Sequence, residues 1–215
     1  RGMRAGGVTR VVFAGSLARP PLDPTQFDAA MMQIAPRLMG AIQGGDDALL
    51  RAVIEIFEDQ GFDVVGAHEV LPDLVAAPGH LAGPEASGQD LQDAERAFDI
   101  LSALSPVDVG QGCAVAGGLC LGIETLQGTD AILRFVGETP EALRRGAKGV
   151  YVKAAKRGQD LRVDMPAVGP ATMEGVAVAG LAGLIIEAGR VMVLERELTL
   201  ARADELGVFL IARDA

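Results

Sequence analysis

The stretch GDDALLRAVIEIFEDQGFDVV, Gly45 to Val65, decides the class of fold. Leu49, Leu50, Val53, Ile54 and Phe57 recur at helical spacing, so one face of this helix must be buried. Asp46 reads as its N-cap and Gly61 as its end. Phe62-Asp63-Val64-Val65 then reads as a strand. Working outward, Val11 to Ala14 form a second short apolar strand, stopped by Gly15. Asp23-Pro24 reads as an N-cap and first helical residue. That helix is expected to reach about Gln43, bent or broken at Pro36, where a backbone donor is missing, and to end at Gly44-Gly45. Strand, helix, helix, strand is the order of an α/β layer with a piece of parallel sheet. The opening RGMRAGG resembles the tail of a helix and the first residue is Arg1, so an upstream segment is expected to be absent and the N-terminal domain incomplete at its start.

Downstream the periodicity collapses. LPDLVAAPGHLAGPEASGQ, Leu71 to Gln89, holds three Pro and three Gly and reads as a linker. The expected organisation is therefore two small α/β domains joined by a Pro/Gly-rich linker, over residues 1–71, 72–89 and 90–215. In the second domain, Ser87 and Asp90 make a capping box for a helix through about Leu104. Asp108 to Glu124 reads as two strands around a Gly117-Gly118 turn. Thr129 caps a short helix, Thr139-Pro140 opens another, and Lys148 to Ala154 is a strand. Thr172 to Gly180 is helical. Gly183 to Ile186 and Arg190 to Leu194 form strands around a turn. Glu197 to Leu206 is a helix closed by Gly207, and Val208 to Ala212 is a terminal strand.

With 49% apolar residues among 215, the chain can bury a sizeable, largely aliphatic core: there are seven Phe, one Tyr (Tyr151) and no Trp. A formal net charge of -10 and the scarcity of aromatic platforms argue against nucleic acid as a partner. Cys113 and Cys120 lack the spacing of a redox or zinc motif and read as reduced, structural thiols. No signal peptide is visible. The longest apolar-rich run, Val176 to Ile186, is about half of the roughly 20 residues a membrane span needs. A soluble protein that can still touch a membrane surface is the expectation.

Charge is distributed unevenly. From Arg144 to Arg162 stand seven cations (Arg144, Arg145, Lys148, Lys153, Lys156, Arg157 and Arg162) against one acid, Asp160. Concentrated positive charge focuses an anionic ligand locally, whatever the net charge. Asp164 follows, between Val163 and Met165-Pro166. A carboxylate beside such a patch can hold Mg²⁺ or orient a water, as phosphoryl transfer requires. Read as extended, the segment would point Arg162 and Asp164 to one face. The alternative is a solvated basic loop with a structural Asp and surface salt bridges.

No Walker-type loop, dinucleotide fingerprint, nucleophile elbow or HExxH is present. Other candidates each have a plain structural alternative. His68, just after a strand, suits a polar contact to phosphate or sugar, or simply caps the strand end; His80 reads as solvated. Asp46 and Asp47 could bind a cation or stabilise a helix start. Glu124 with Gly128-Thr129-Asp130 forms a strand-to-helix turn whose amides suit phosphate oxygens.

Taken in order, GDDALL, GAHEV, DVGQG, ETLQGTDA, KxxKxGQDLRVDMPxVGxAT and AGLAGLIIEAGR are more specific than any one piece. Together, over nearly the whole chain, they resemble the UDP-2,3-diacylglucosamine pyrophosphatase family of the LpxI type. The resemblance implies an enzyme of lipid A biosynthesis in Gram-negative bacteria. It would hydrolyse the phosphoanhydride of its nucleotide-sugar lipid substrate to UMP and 2,3-diacylglucosamine 1-phosphate (lipid X), with Mg²⁺ or Mn²⁺. It further implies a cytoplasmic protein, peripheral on the inner membrane face, and is compatible with a homo-oligomer. Asp164 matches the catalytic aspartate. Asp164, Asp46, Asp47 and Glu124 are the implied metal ligands, and Lys153, Lys156, Arg162, Thr129, Asp130, His68 and Thr172 the implied substrate contacts. A non-catalytic lipid-phosphate binding module is the alternative.

Overall fold

The computed structural model describes residues 2–15, 23–43 and 46–214, without the side chains of Arg4, Pro24, Asp46 and Asp47. The chain divides into two compact units, Arg1–Pro72 with Gln159–Asp164, and Asp73–Gly158 with Met165–Ala215.

In the first unit, helix α1 (Gly2–Ala5) leads to strand β1 (Arg10–Val11). Helices α2 (Ala29–Ile42) and α3 (Asp46–Asp59), strand β2 (Asp63–Val64) and a short helix α4 (Ala67–Val70) follow. β1 and β2 run parallel, Arg10 opposite Asp63 and Val11 opposite Val64, with both long helices in the crossover between them. The expected α/β layer is therefore present. Its core includes Ile54 and Val64, and Phe57 packs edge-on against Phe13 at 5.1 Å. Two details differ from expectation. α2 begins later, because Asp28 caps it by accepting from the Met31 amide, while Asp23 binds Thr25 in a separate 3-10 turn. Pro36 lies inside α2 without ending it. The Gly44-Gly45 break lies outside the described residues.

In the second unit, strand β3 (Gly79–Ala82), helix α5 (Gly88–Leu104), strands β4 (Gly112–Ala116) and β5 (Leu119–Ile123), helix α6 (Thr129–Gly137) and strand β6 (Val150–Lys153) come first. Then come β7 (Ala167–Val168), α7 (Pro170–Val178), β8 (Gly183–Glu187), β9 (Met192–Val193), α8 (Arg196–Leu206) and β10 (Phe209–Arg213). Six strands form one mixed sheet in the order β3-β10-β8-β6-β4-β5. Its centre, β10-β8-β6, is parallel, and β3, β4 and β5 pair antiparallel at the flanks.

Alternation along each strand makes this a three-layer structure. Ala114, Tyr151, Leu184, Ile186 and Leu210 point to one face, against Leu133 and Val136 of α6, Met173 and Val176 of α7 and Ala203 of α8. Cys113, Val115, Val150, Val152, Ile185 and Phe209 point to the other, against Ala94, Ala97 and Leu101 of α5. The capping box at Ser87 and Asp90 forms as read from the sequence. The Gly117-Gly118 turn forms too, with φ of 55° and 78° at the two glycines. This left-handed pair suits a two-residue hairpin. Asp93 of α5 is fully buried and accepts from both turn amides, at 2.9 and 2.7 Å.

The stretch expected to be only a linker contributes β3 to the sheet, where Ala82 sits opposite Leu210 and His80 opposite Ile211. A strand of four residues at an edge, broken by Pro and Gly on both sides, carries too little periodicity to show in sequence. Likewise β8 and β9 do not pair as strands around one turn. β9 pairs in parallel with β7 in a separate two-stranded sheet, and β8 lies between β6 and β10. Thr139-Pro140 opens only a 3-10 turn, Glu141–Arg144.

Candidate functional site

The most connected polar cluster of the second unit stands at the end of β6, the C-terminal edge of the parallel strands. Ligands of open α/β sheets collect at such edges. β6 alternates, so Tyr151 and Lys153 share a face. The Lys153 ammonium binds both carboxylate oxygens of Glu124, at 2.8 and 2.6 Å, and donates to the Thr129 hydroxyl at 2.8 Å. The Tyr151 hydroxyl donates to Glu124 Oε2 at 2.5 Å and that of Thr129 donates to the same oxygen at 3.1 Å. The side chains of Lys153 and Glu124 are only 4% and 11% exposed. Charge this deep survives only as a fully paired network. Burial, then the neighbouring Glu124 charge, pushes the Tyr151 phenol well above its usual range.

Backbone placement makes this cluster possible. The Glu124 amide donates to the Gly112 carbonyl at 2.7 Å, holding the end of β5 to the start of β4. A Cβ at Gly112 would sit 1.8 Å from the Tyr151 hydroxyl oxygen and 2.6 Å from Glu124 Oε2. Glycine is required by this close approach. Tyr151 and Gly112 were not among the residues singled out from sequence. A lone Tyr in an apolar strand carries no motif, and Gly112, although it closes the DVGQG stretch, gives no sign from sequence of what approaches it.

Thr129 does not cap α6. Gly128, at φ 82°, is the N-cap and Thr129 is the first helical residue, which releases its hydroxyl to the cluster. Asp130 lies exposed in the first turn of α6. Thr172 is buried and its hydroxyl accepts from the Gly169 amide at 3.2 Å, so its contact is a cap on α7. Lys156 pairs with Asp108.

In the first unit, Gln159–Asp164 is a turn, not the extended segment expected. The amides of Val163 and Asp164 donate to the Asp160 carbonyl at 3.2 and 3.1 Å, so strand alternation does not relate Arg162 to Asp164. Arg162 forks onto Asp160 at 2.7 to 3.2 Å. It also donates to Glu58 of α3 at 2.8 Å and to the Val64 carbonyl of β2 at 3.4 Å. These bonds depress the Asp160 pKa and raise that of Arg162. The Gln159 amide donates to a carboxylate oxygen of Asp164. Asp164 forms no ion pair with Lys or Arg among the described residues. His68 lies in α4 with its Nδ1 buried and lacking a hydrogen-bond partner among the described residues. The Asp46 and Asp47 side chains lie outside the described residues.

Four of the seven cations in the run are thus committed within the fold, while Arg145, Lys148 and Arg157 are exposed. Arg144 is buried and donates to the Val136 and Ala179 carbonyls at 2.7 and 2.8 Å, closing the ends of α6 and α7. Lys153, Lys156 and Arg162 are each matched by a carboxylate. A cavity of about 550 Å³ lined by Ser87, Asp90, Gly117, Arg145 and Lys148 lies at the other end of β4 and β6 from the Glu124 cluster.

Glu124 does not fit a divalent cation, because both its oxygens are taken by an ammonium and two hydroxyls. Among the described residues no three acidic, Cys or His side chains gather to hold a metal. Asp164 suits a cation better. Its observed partner is a neutral amide, and Mg²⁺ is commonly held by one or two carboxylates with water and substrate phosphates completing the shell.

Comparison with known proteins agrees across the chain. Residues 1–74 match the LpxI N-terminal domain and residues 77–211 the LpxI C-terminal domain. A protein of Caulobacter vibrioides (strain ATCC 19089 / CIP 103742 / CB 15), named UDP-2,3-diacylglucosamine pyrophosphatase LpxI, is 42% identical over 217 aligned positions. The alignment takes in 100% of this chain and 78% of that protein.

Proposed function

The chain belongs to the LpxI family, and from that premise we propose that it is a UDP-2,3-diacylglucosamine pyrophosphatase of lipid A biosynthesis. The reaction is hydrolysis of the phosphoanhydride to UMP and 2,3-diacylglucosamine 1-phosphate. The observation that carries the reading is the match along the whole chain to a relative of that name.

Asp164 is the proposed catalytic carboxylate. The Gln159 amide fixes its orientation. The carboxylate orients the attacking water or ligates a divalent cation. Mg²⁺ or Mn²⁺, when bound, would neutralise charge developing on the diphosphate. Arg162 and Lys156 are the proposed diphosphate contacts. Lys156 is paired with Asp108, 61% exposed, and Arg162 with Glu58, 43% exposed, and more tightly with Asp160, 22% exposed. Exposed pairs such as Lys156–Asp108 and Arg162–Glu58 are worth about 0–1 kcal/mol, so at those two contacts exchanging carboxylate for phosphate costs little. Lys153 is different: with its charge committed to buried Glu124, it positions Thr129 and the turn into α6. Asp130, exposed in that same turn, and His68, through its unsatisfied Nδ1, remain proposed substrate contacts. Two acyl chains on the substrate require an encounter with a membrane surface, which we place at the inner leaflet. No described helix is long and apolar enough to cross a membrane.

The test is product analysis by mass spectrometry with isotopically labelled water. UMP and the lipid 1-phosphate are expected, with label in the phosphate that was attacked. Asp164→Asn is expected to remove turnover while leaving thermal unfolding unchanged. A matching loss of stability would overturn the catalytic role. Exhaustive chelation is expected to stop turnover, and Mg²⁺ or Mn²⁺ to restore it; turnover that survives chelation would remove the metal from the proposal. A folded chain that retains the lipid 1-phosphate yet never forms UMP would instead be a binding module.

A further inference from the structure

Cys113 and Cys120 stand on neighbouring antiparallel strands, and their sulfurs are 3.8 Å apart. Cys113 is opposite Ile123 and Cys120 is opposite Val115, with the ladder shifting register between Ala114 and Val115. Because Cys113 and Val115 share a face, both thiols lie toward α5. Sulfurs at this separation are in van der Waals contact, and a disulfide needs about 2.05 Å. The gap is closed by the strand able to move. β5 is the sheet edge, bonded on one side only, and its ladder is already broken by the bulge.

We propose that Cys113 and Cys120 form a peroxide-oxidisable pair that closes to an intrachain disulfide. The two thiols divide the work by exposure: Cys120 is exposed and Cys113 fully buried. The contact with the Cys113 sulfur, a backbone hydrogen bond at Gly122 and, least, the positive charge of Arg96 of α5 favour the Cys120 thiolate, against partial burial. Together they bring the Cys120 thiol down to about 6, which favours the thiolate. An exposed thiolate beside a cation is the reactive kind. Cys120 attacks one peroxide oxygen, the O–O bond breaks, and a sulfenic acid forms with release of water or alcohol. Cys113 then attacks the Cys120 sulfur, losing its proton as the S–O bond breaks and a water leaves. Two thiols are oxidised by two electrons, and the peroxide is reduced by two. The product ties the edge strand to β4 four residues before Glu124, a consequence independent of the pyrophosphatase reading.

The test is hydrogen peroxide added to the full chain at neutral pH, followed by alkylation and unreduced peptide mapping. Loss of both alkylatable thiols is expected, with a Cys113–Cys120 linked peptide within one chain, reversed by dithiothreitol. In Cys113→Ser, Cys120 is expected to be trapped by dimedone as its sulfenic acid. In Cys120→Ser, Cys113 is expected to stay unmodified. The inference is overturned if wild-type Cys113 remains alkylatable after Cys120 has reacted. It is also overturned if Cys120 proceeds to sulfinic acid without linking, or links only to a second chain.

Discussion

Glu124, Lys153, Tyr151 and Thr129 show how a buried polar group is tolerated when every donor has an acceptor. Glu124→Gln would leave the Lys153 ammonium buried beside a neutral amide. Breaking one side of such a pair costs about 3–5 kcal/mol, so the unfolding free energy from urea titration is expected to fall by that amount and the midpoint to move to lower urea. Replacing both partners, with Glu124→Leu and Lys153→Met, is expected to recover much of the loss. A single variant as stable as wild type would mean that water already reaches the pair. From sequence, Glu124 and Lys153 were selected as ligand and phosphate contacts, because residue type alone does not reveal that two candidates neutralise one another. The same holds for Arg162, whose cation is met by Asp160 and Glu58.

At the scale of elements, the β4–β5 hairpin depends on one helix residue. Asp93 takes the amides of Gly117 and Gly118, amides that a tight turn leaves without strand partners. Asp93→Ala is expected to cost about 1–3 kcal/mol and to speed hydrogen exchange at those two glycines above all. Unchanged exchange there would show that water replaces the carboxylate. The hairpin itself was legible, because a Gly-Gly pair between apolar runs has few other uses. The capping box of α5 was legible for a similar local reason. The turn at Gln159–Asp164 was not: Val163 and Pro166 favour extended backbone, yet Arg162 ties the loop to α3 and β2 through bonds spanning about a hundred residues. Those long-range bonds override local preference.

The second unit as a whole is reported by its single tyrosine. The hydroxyl of Tyr151 lies between the sheet and its helices, and burial raises its pKa. For a group raised on folding, stability is fully present below the unfolded pKa. It falls as pH rises above about 10, because there only the unfolded chain loses the proton. With no Trp and one Tyr in the chain, phenolate absorbance is a clean signal. It is expected to appear together with loss of circular dichroism in alkaline titration. Phenolate in a still-folded chain would contradict the burial of Tyr151.

The sequence by itself determined the α/β class, the paired helices over one parallel crossover in the first unit, and the caps and turns at Ser87, Gly117-Gly118 and Gly207. It also carried the family, because each of these depends on residues close together along the chain or on short motifs. Only the tertiary structure decided that β3 joins the large sheet, that β9 leaves β8 for β7, and that Gly112 must lack a side chain. It likewise decided which cations are spent on carboxylates and which carboxylate, Asp164, faces a neutral donor. Those outcomes rest on pairings between residues far apart in the chain, where local propensity is weak and the burial of charge and of sheet edges sets the arrangement.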